Sequence, residues 1–195
     1  MKYLPFLLVC LASHLMSCAQ EQVPDRDQQI AMAVQAAPED DRAECTVMGY
    51  DRDTTLVMLR EGANSLICLA DDPSRNGFQC VCYHKDLEPF MSRGRSLRAE
   101  GKTSQEIFDI REQEAKAGTL KMPEQPTTLH LLEGKEGHFD VTTGTVQDAN
   151  YRYVVYIPWA TSESTGLPLK PLVEGGPWIM DPGTHRAHIM ITPPR

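Results

Sequence analysis

Basic charge is scarce in this chain: 19 lysines and arginines stand against 27 aspartates and glutamates, a formal net charge of −8. Phosphate backbones are held by clustered Lys and Arg, so this balance argues against nucleic acid as a partner. The single basic cluster, Arg93, Arg95 and Arg98 in "SRGRSLR", is flanked by acids and reads as the solvated face of a helix. The short motifs of common catalysis are also missing. There is no nucleophile elbow, Gly-rich phosphate loop, H-E-x-x-H helix or calcium loop. Activity does not require such a motif, but the usual enzyme classes lose their usual signature. Cys80 and Cys82 form a C-x-C, not the C-x-x-C of redox enzymes, and the cysteine spacing lacks the tight knuckles of a thiolate metal site. No metal or cofactor is therefore expected. Internal repeats and low-complexity tracts are absent too.

The chain has one apolar run, Leu4 to Leu15, too short to span a bilayer. With Lys2 before it and small residues after it, residues 1–19 read as a signal peptide. Ser17 and Ala19 suit ordinary cleavage, while "LMSC" at 15–18 resembles a lipobox that would make Cys18 a lipidated first residue. Residues 20–28 read as a polar tether and 29–195 as a single domain. About 175 residues remain after processing, enough for one hydrophobic core. Loss of Lys2 takes the net charge from −8 to −9. The expectation is an exported protein, either an outer-membrane lipoprotein or periplasmic or secreted, touching membrane only through a lipid anchor.

Four cysteines remain in the domain: Cys45, Cys68, Cys80 and Cys82. In an oxidising compartment an even set suggests disulfides, and four allow three connectivities. "NSLICLA" and "FQCVCYH" flank the turn-rich "DDPSRNG" as a hairpin. Symmetry about that turn sets Cys68 opposite Cys80 with Cys82 diagonal, so the spacing does not choose between them.

Asp25 and Gln28 form a capping-box pair before a short helix that Pro38 ends. "AECTVMGY", "TTLVMLR", "SLICLA" and "FQCVCY" then read as an antiparallel meander. Asp86 is placed to cap a helix containing Leu87, Phe90, Met91 and Leu97, and Thr103 with Glu106 caps a second. That second helix has a narrow apolar stripe and an i,i+4 pair, Glu112 with Lys116, so it should be largely exposed. The second half returns to strands: "TTLHLLE", "HFDVTTG", "YRYVVYIPW", "PWIMD" and "AHIMITP". Residues 161–176 form a long Pro-bearing loop, suited to a function or to the sheet edge. The fold class expected is α+β, mainly antiparallel sheet with two or three helices.

"DPGTHRAHIMITPP" places His185 and His188 three apart near Asp181. The Asp-Pro-Gly is turn chemistry, so a strand follows, and on a strand those two histidines have opposite parity. His188 is expected to be structural or ligand-facing. His130 is expected in a strand, His84 near the helix cap and His138 exposed. On "YRYVVYIPW", Tyr151 and Tyr153 share a face opposite to Val154 and Tyr156. An aromatic, partly exposed binding face is one reading, and ordinary sheet packing is the other.

The segments "LREGANSLICLADDPS" and "GGPWIMDPGTHRAHIMITP" resemble a family of exported bacterial proteins without an established activity, whose members carry similar LREG-N-x-x-C-L-x-D and GGPW-x-M…G-T-x-x-AHIM patterns. The likeness spans both β halves. It implies a Cys68–Cys82 bridge, with Cys45 and Cys80 additional, and it matches His188 but not His185. Ser65-Leu66 stands where the family tends to have Gly-Trp. The function expected is a non-catalytic binding or interaction domain, taking an unknown small molecule or envelope partner through Trp178, Asp181 and His188. The alternative is a small hydrolase or metal-assisted enzyme with His188 as base or ligand and Asp181 as its orienter.

Overall fold

The computed structural model describes residues 23–194; the signal segment and the lipidation candidate Cys18 lie outside them. The first element is α1 (Arg26–Ala33), capped by Asp25, whose carboxylate accepts the Gln28 N–H while the Gln28 side chain returns to the Asp25 backbone. The expected tether thus ends three residues early, since 26–28 belong to this helix.

Ten strands follow: β1 (Thr46–Tyr50), β2 (Leu56–Arg60), β3 (Leu66–Leu69), β4 (Phe78–His84), β5 (Thr127–Gly134), β6 (His138–Asp140), β7 (Thr145–Gln147), β8 (Asn150–Tyr156), β9 (Trp178–Met180) and β10 (His188–Ile191). Eight of them form one sheet in the order β2-β1-β3-β4-β5-β8-β10-β9, and β6 pairs with β7 apart from it. Between β4 and β5 lie α2 (Glu88–Ala99) and α3 (Ser104–Lys116); a short α4 (Ser162–Thr165) follows β8. The result is α+β, with four α-helices and several 3-10 turns among the described residues rather than two or three helices.

The first four strands are not a meander, because β1 pairs antiparallel with β2 but parallel with β3. After β2 the chain passes over the start of β1 instead of turning back beside β2. Gly62 makes this possible: a β-carbon there would overlap the backbone of Cys45 and Thr46. The crossing is fixed by the Gly62 N–H to Thr46 Oγ1 (3.1 Å), the Asn64 N–H to the Glu44 carbonyl (3.0 Å) and Asn64 Nδ2 to the Asp41 carbonyl (2.9 Å).

Strand parity divides the core into two layers. Leu66, Cys68, Phe78, Cys80 and Cys82 face α1 and the turn after it, against Met32, Ala33, Val34 and Ala36. Leu69, Tyr83, Leu129, Val154 and Tyr156 face the other way, against Leu87 and Phe90. Gln29, buried on α1, ties the first layer to β1 by donating to the Tyr50 carbonyl and accepting the Tyr50 N–H.

Cys68 and Cys82 are directly opposite and joined as a disulfide, while Cys45 and Cys80 are buried free thiols. The turn is therefore off-centre. The Ala70 N–H bonds across to the Met48 carbonyl of β1, and the Asp71 carboxylate takes the Gln79 N–H (2.8 Å), which pulls the symmetry point one residue along.

Two helix expectations change. The cap before α2 is His84, not Asp86: its Nδ1 accepts the Asp86 N–H at the head of a 3-10 turn, Lys85–Leu87. The arginines of α2 are also more than a solvated face. Arg93 forms a two-oxygen pair with Glu114 of α3, and Arg95 reaches Glu88 and the Tyr83 hydroxyl.

Candidate functional site

Asp181 and His188 lie at the end of the sheet where β8 and β9 finish and β10 begins, whereas Trp178 starts β9. Asp181 follows β9 with φ +50°, a conformation its short polar side chain tolerates. Its carboxylate pairs with Arg186 (Oδ2 to Nε 2.7 Å), and the Arg186 guanidinium lies over the Phe108 ring, 4.9 Å from the centroid. His188 opens β10, is buried, packs against Tyr156, and has Nδ1 2.7 Å from the Arg186 carbonyl. A ring nitrogen facing a carbonyl carries the proton, and burial pushes this imidazole's pKa down, so it sits neutral. Asp181 and His188 therefore share one neighbour, Arg186, and the side-chain hydrogen bonds of each go to Arg186 rather than to each other. Trp178 stands at the far end of β9, opposite Met190, half-exposed.

The residue without an expected role, His185, is the most enclosed of the group. It is fully buried between Phe90 and Phe108. Glu112 of α3 accepts both its backbone N–H (2.9 Å) and Nδ1 (2.5 Å) at one oxygen, and its other oxygen meets Lys116 at 2.7 Å. Burial lowers the His185 pKa against the pull of Glu112, while Lys116 and the two His185 bonds hold the Glu112 carboxyl at about 2, against the opposing effect of desolvation. A neutral imidazole beside an ionised carboxylate satisfies both shifts. Its Nε2 has no hydrogen-bond partner among the described residues. Arg111, one position before Glu112, is buried with its guanidinium 3.9 Å from the Phe90 centroid and Nη1 on the Phe90 carbonyl. Burial lowers its pKa to about 10, so it stays charged at neutral pH. The polar side of α3 is thus a clamp on the 181–188 loop, which its narrow apolar stripe hid.

The opposite end of the sheet carries a cleft of about 490 Å³ between the β3–β4 turn, the β5–β6 loop and the start of α1. Met32 and Phe78 form its buried apolar part; Phe139 and Val141 continue it outward. Asp71, Arg75, Lys135 and His138 bring the polar groups. Desolvation raises the Asp71 carboxyl to about 6, against the Gln79 N–H bond and Arg75. A carboxyl displaced in that direction inside a concavity marks a binding-site candidate. Sequence reasoning read "DDPSRNG" as a turn only; the signal there, an Asp pair ahead of Pro, is shared with ordinary turns.

The remaining expectations distribute simply. His130 is a buried β5 residue whose Nδ1 meets the Tyr151 hydroxyl at 2.8 Å, and that hydroxyl also donates to the Ala36 carbonyl. The Tyr151–Tyr153 face is therefore half packing and half surface, with Tyr153 exposed. The 161–176 segment lies on the sheet edge, where the Pro168 carbonyl accepts the Ile179 N–H of β9. Among the described residues no group of three or more His, Cys, Asp or Glu is placed to hold a metal ion. No protein-family model, no curated protein and no solved structure matches this chain.

Proposed function

We propose that this chain is an exported, envelope-associated binding domain that takes up a small molecule without transforming it. The observation that carries the reading is the Asp71 cleft: an apolar floor of Met32 and Phe78 beside a carboxyl whose charged form lacks adequate compensation. A ligand with an ammonium group on an apolar body adds counter-charge to that of Arg75 and covers the floor. The binding reading is also supported by the opposite end, where Asp181, His188 and His185 spend their hydrogen bonds on loop structure. A hydrolase using His188 and Asp181 would need those groups turned towards a substrate and each other.

The matched series hexylammonium, hexanol and hexanoate, titrated by calorimetry into the full chain, tests this reading. Hexylammonium should bind and its two analogues should not, with affinity rising as the pH passes upward through about 6. Asp71→Asn should remove that preference. Equal binding of all three, or ammonium binding that survives Asp71→Asn unchanged, contradicts the reading. Export and anchoring are tested separately by mass spectrometry of the native protein: a diacylglyceryl group on Cys18 is the expected product, and an unmodified N-terminus at Gln20 indicates simple cleavage.

A further inference from the structure

β5 and β8 stay paired as far as Thr127 and Tyr156. The next residues outward include Pro126 on one strand and Pro158 on the other. Proline has no N–H to donate, so the ladder stops there and the two segments separate. Between them lies a groove of about 670 Å³, with Met122, Pro123 and Ile157 as its apolar part and Glu124, Gln125 and Trp159 around it.

Trp159 has φ +69°, the left-handed region that a bulky side chain avoids. Such a conformation persists only where the surroundings impose it. Here they do. The Trp159 N–H bonds to the Thr184 carbonyl (2.8 Å), the Ala160 N–H to the Ile157 carbonyl (3.1 Å), and the Gly183 N–H to the Ala160 carbonyl (2.7 Å). Thr184 in turn precedes His185, which Glu112 holds from α3. The outcome is an indole that remains 41% exposed on a rigid support, with the Lys116 ammonium 6.0 Å from its ring centroid. The exposed side chains of Glu124 and Gln125 make no hydrogen bond among the described residues.

We propose that this groove is a saccharide-binding site, in which the Trp159 indole packs on the C–H face of a pyranose ring and Glu124 and Gln125 take its hydroxyls. The chemistry selects this class over peptides. An extended peptide adds to a sheet through backbone donors and acceptors, and the prolines at 123, 126 and 158 withhold the donors. A polyproline-type peptide offers carbonyl acceptors, which leaves the Glu124 carboxylate without a donor. A sugar ring has one apolar face and several hydroxyl donors, matching a partly exposed aromatic surface beside a carboxylate and an amide. The groove lies at the opposite end of the sheet from the Asp71 cleft, so either site can fail without the other.

The chain has two tryptophans, 159 and 178. Trp178→Phe therefore isolates the emission of Trp159 in the full-length protein. Titration of that variant with trisaccharides of glucose and of N-acetylglucosamine should give a saturable change in emission for at least one sugar. Calorimetry with the same sugar should then show at least tenfold weaker binding for both Trp159→Ala and Glu124→Ala, with far-UV circular dichroism unchanged. If Trp159→Ala fails to fold, Trp159→Leu and Glu124→Ala carry the comparison. The proposal is overturned if neither trisaccharide changes the emission at tens of millimolar, if Glu124→Ala binds as the parent does, or if decaproline saturates the groove while the sugars do not.

Discussion

Removing the Glu112 carboxylate should destabilise the protein more than its place on the polar side of α3 suggests. In Glu112→Ala two donors of His185 lose their acceptor at once, the backbone N–H at 2.9 Å and Nδ1 at 2.5 Å, in a residue with no solvent exposure. A buried donor left unpaired costs about 1–3 kcal/mol, so the pair together amounts to about 3 kcal/mol after some water entry. For a domain of this size that corresponds to a melting temperature lower by about 6–12 °C. His185→Ala removes only the side-chain bond and keeps the backbone one, so the two effects overlap. The double variant should fall short of their sum by about 1–2 kcal/mol. Chemical denaturation of the four proteins reads this coupling directly. The pH dependence has a definite sign. The folded pKa of His185 is lowered, so below about 6.5 the unfolded chain takes up a proton that the folded state resists, and stability falls with pH. The lowered Glu112 pKa extends the loss, from its ordinary value near 4.5 down through about 2. A Glu112→Ala loss under about 1 kcal/mol, or additive single and double variants, would refute the clamp.

Replacing Cys68 and Cys82 with alanine should cost about 3 kcal/mol, the loop-closure value for a bridge spanning 14 residues; non-reducing peptide mapping should recover Cys45 and Cys80 as thiols that react only after unfolding, and a Cys68–Cys80 peptide would contradict the register. Gly62→Ala forces a β-carbon into the Cys45–Thr46 backbone and should cost about 3 kcal/mol by denaturation, whereas Gly118→Ala, where nothing lies within 4 Å but φ is +73°, should cost about 1 kcal/mol. Asp71, with its folded pKa raised to about 6, stabilises the fold fully only below its unfolded value near 3.8 and loses that contribution as pH rises through 6; Asp71→Asn should flatten the stability profile across that window, and an unchanged profile would remove Asp71 as its source.

Much of this molecule is local and therefore legible in the sequence. The Asp25 and Thr103 caps, the existence of the β3–β4 hairpin though not its register, the Glu112–Lys116 pair and the turn before β10 all involve partners within a few residues or across one turn. Residue identity fixes such features, because side-chain spacing along a helix or strand is set by backbone geometry. Parity alone likewise separated His185 from His188.

Tertiary structure decided whatever depended on partners distant in the chain. The parallel β1–β3 pairing rests on Gly62 passing over residues sixteen positions earlier, which leaves no periodic trace. His185 finds Glu112 seventy-three residues away, and that contact made the unassigned histidine the buried anchor while His188 settled against Arg186 and Tyr156. The same packing twists Trp159 into a left-handed backbone and leaves its ring in solvent. A sequence shows which groups are available, but the free energy of burying or exposing each one belongs to the neighbours that the fold brings to it.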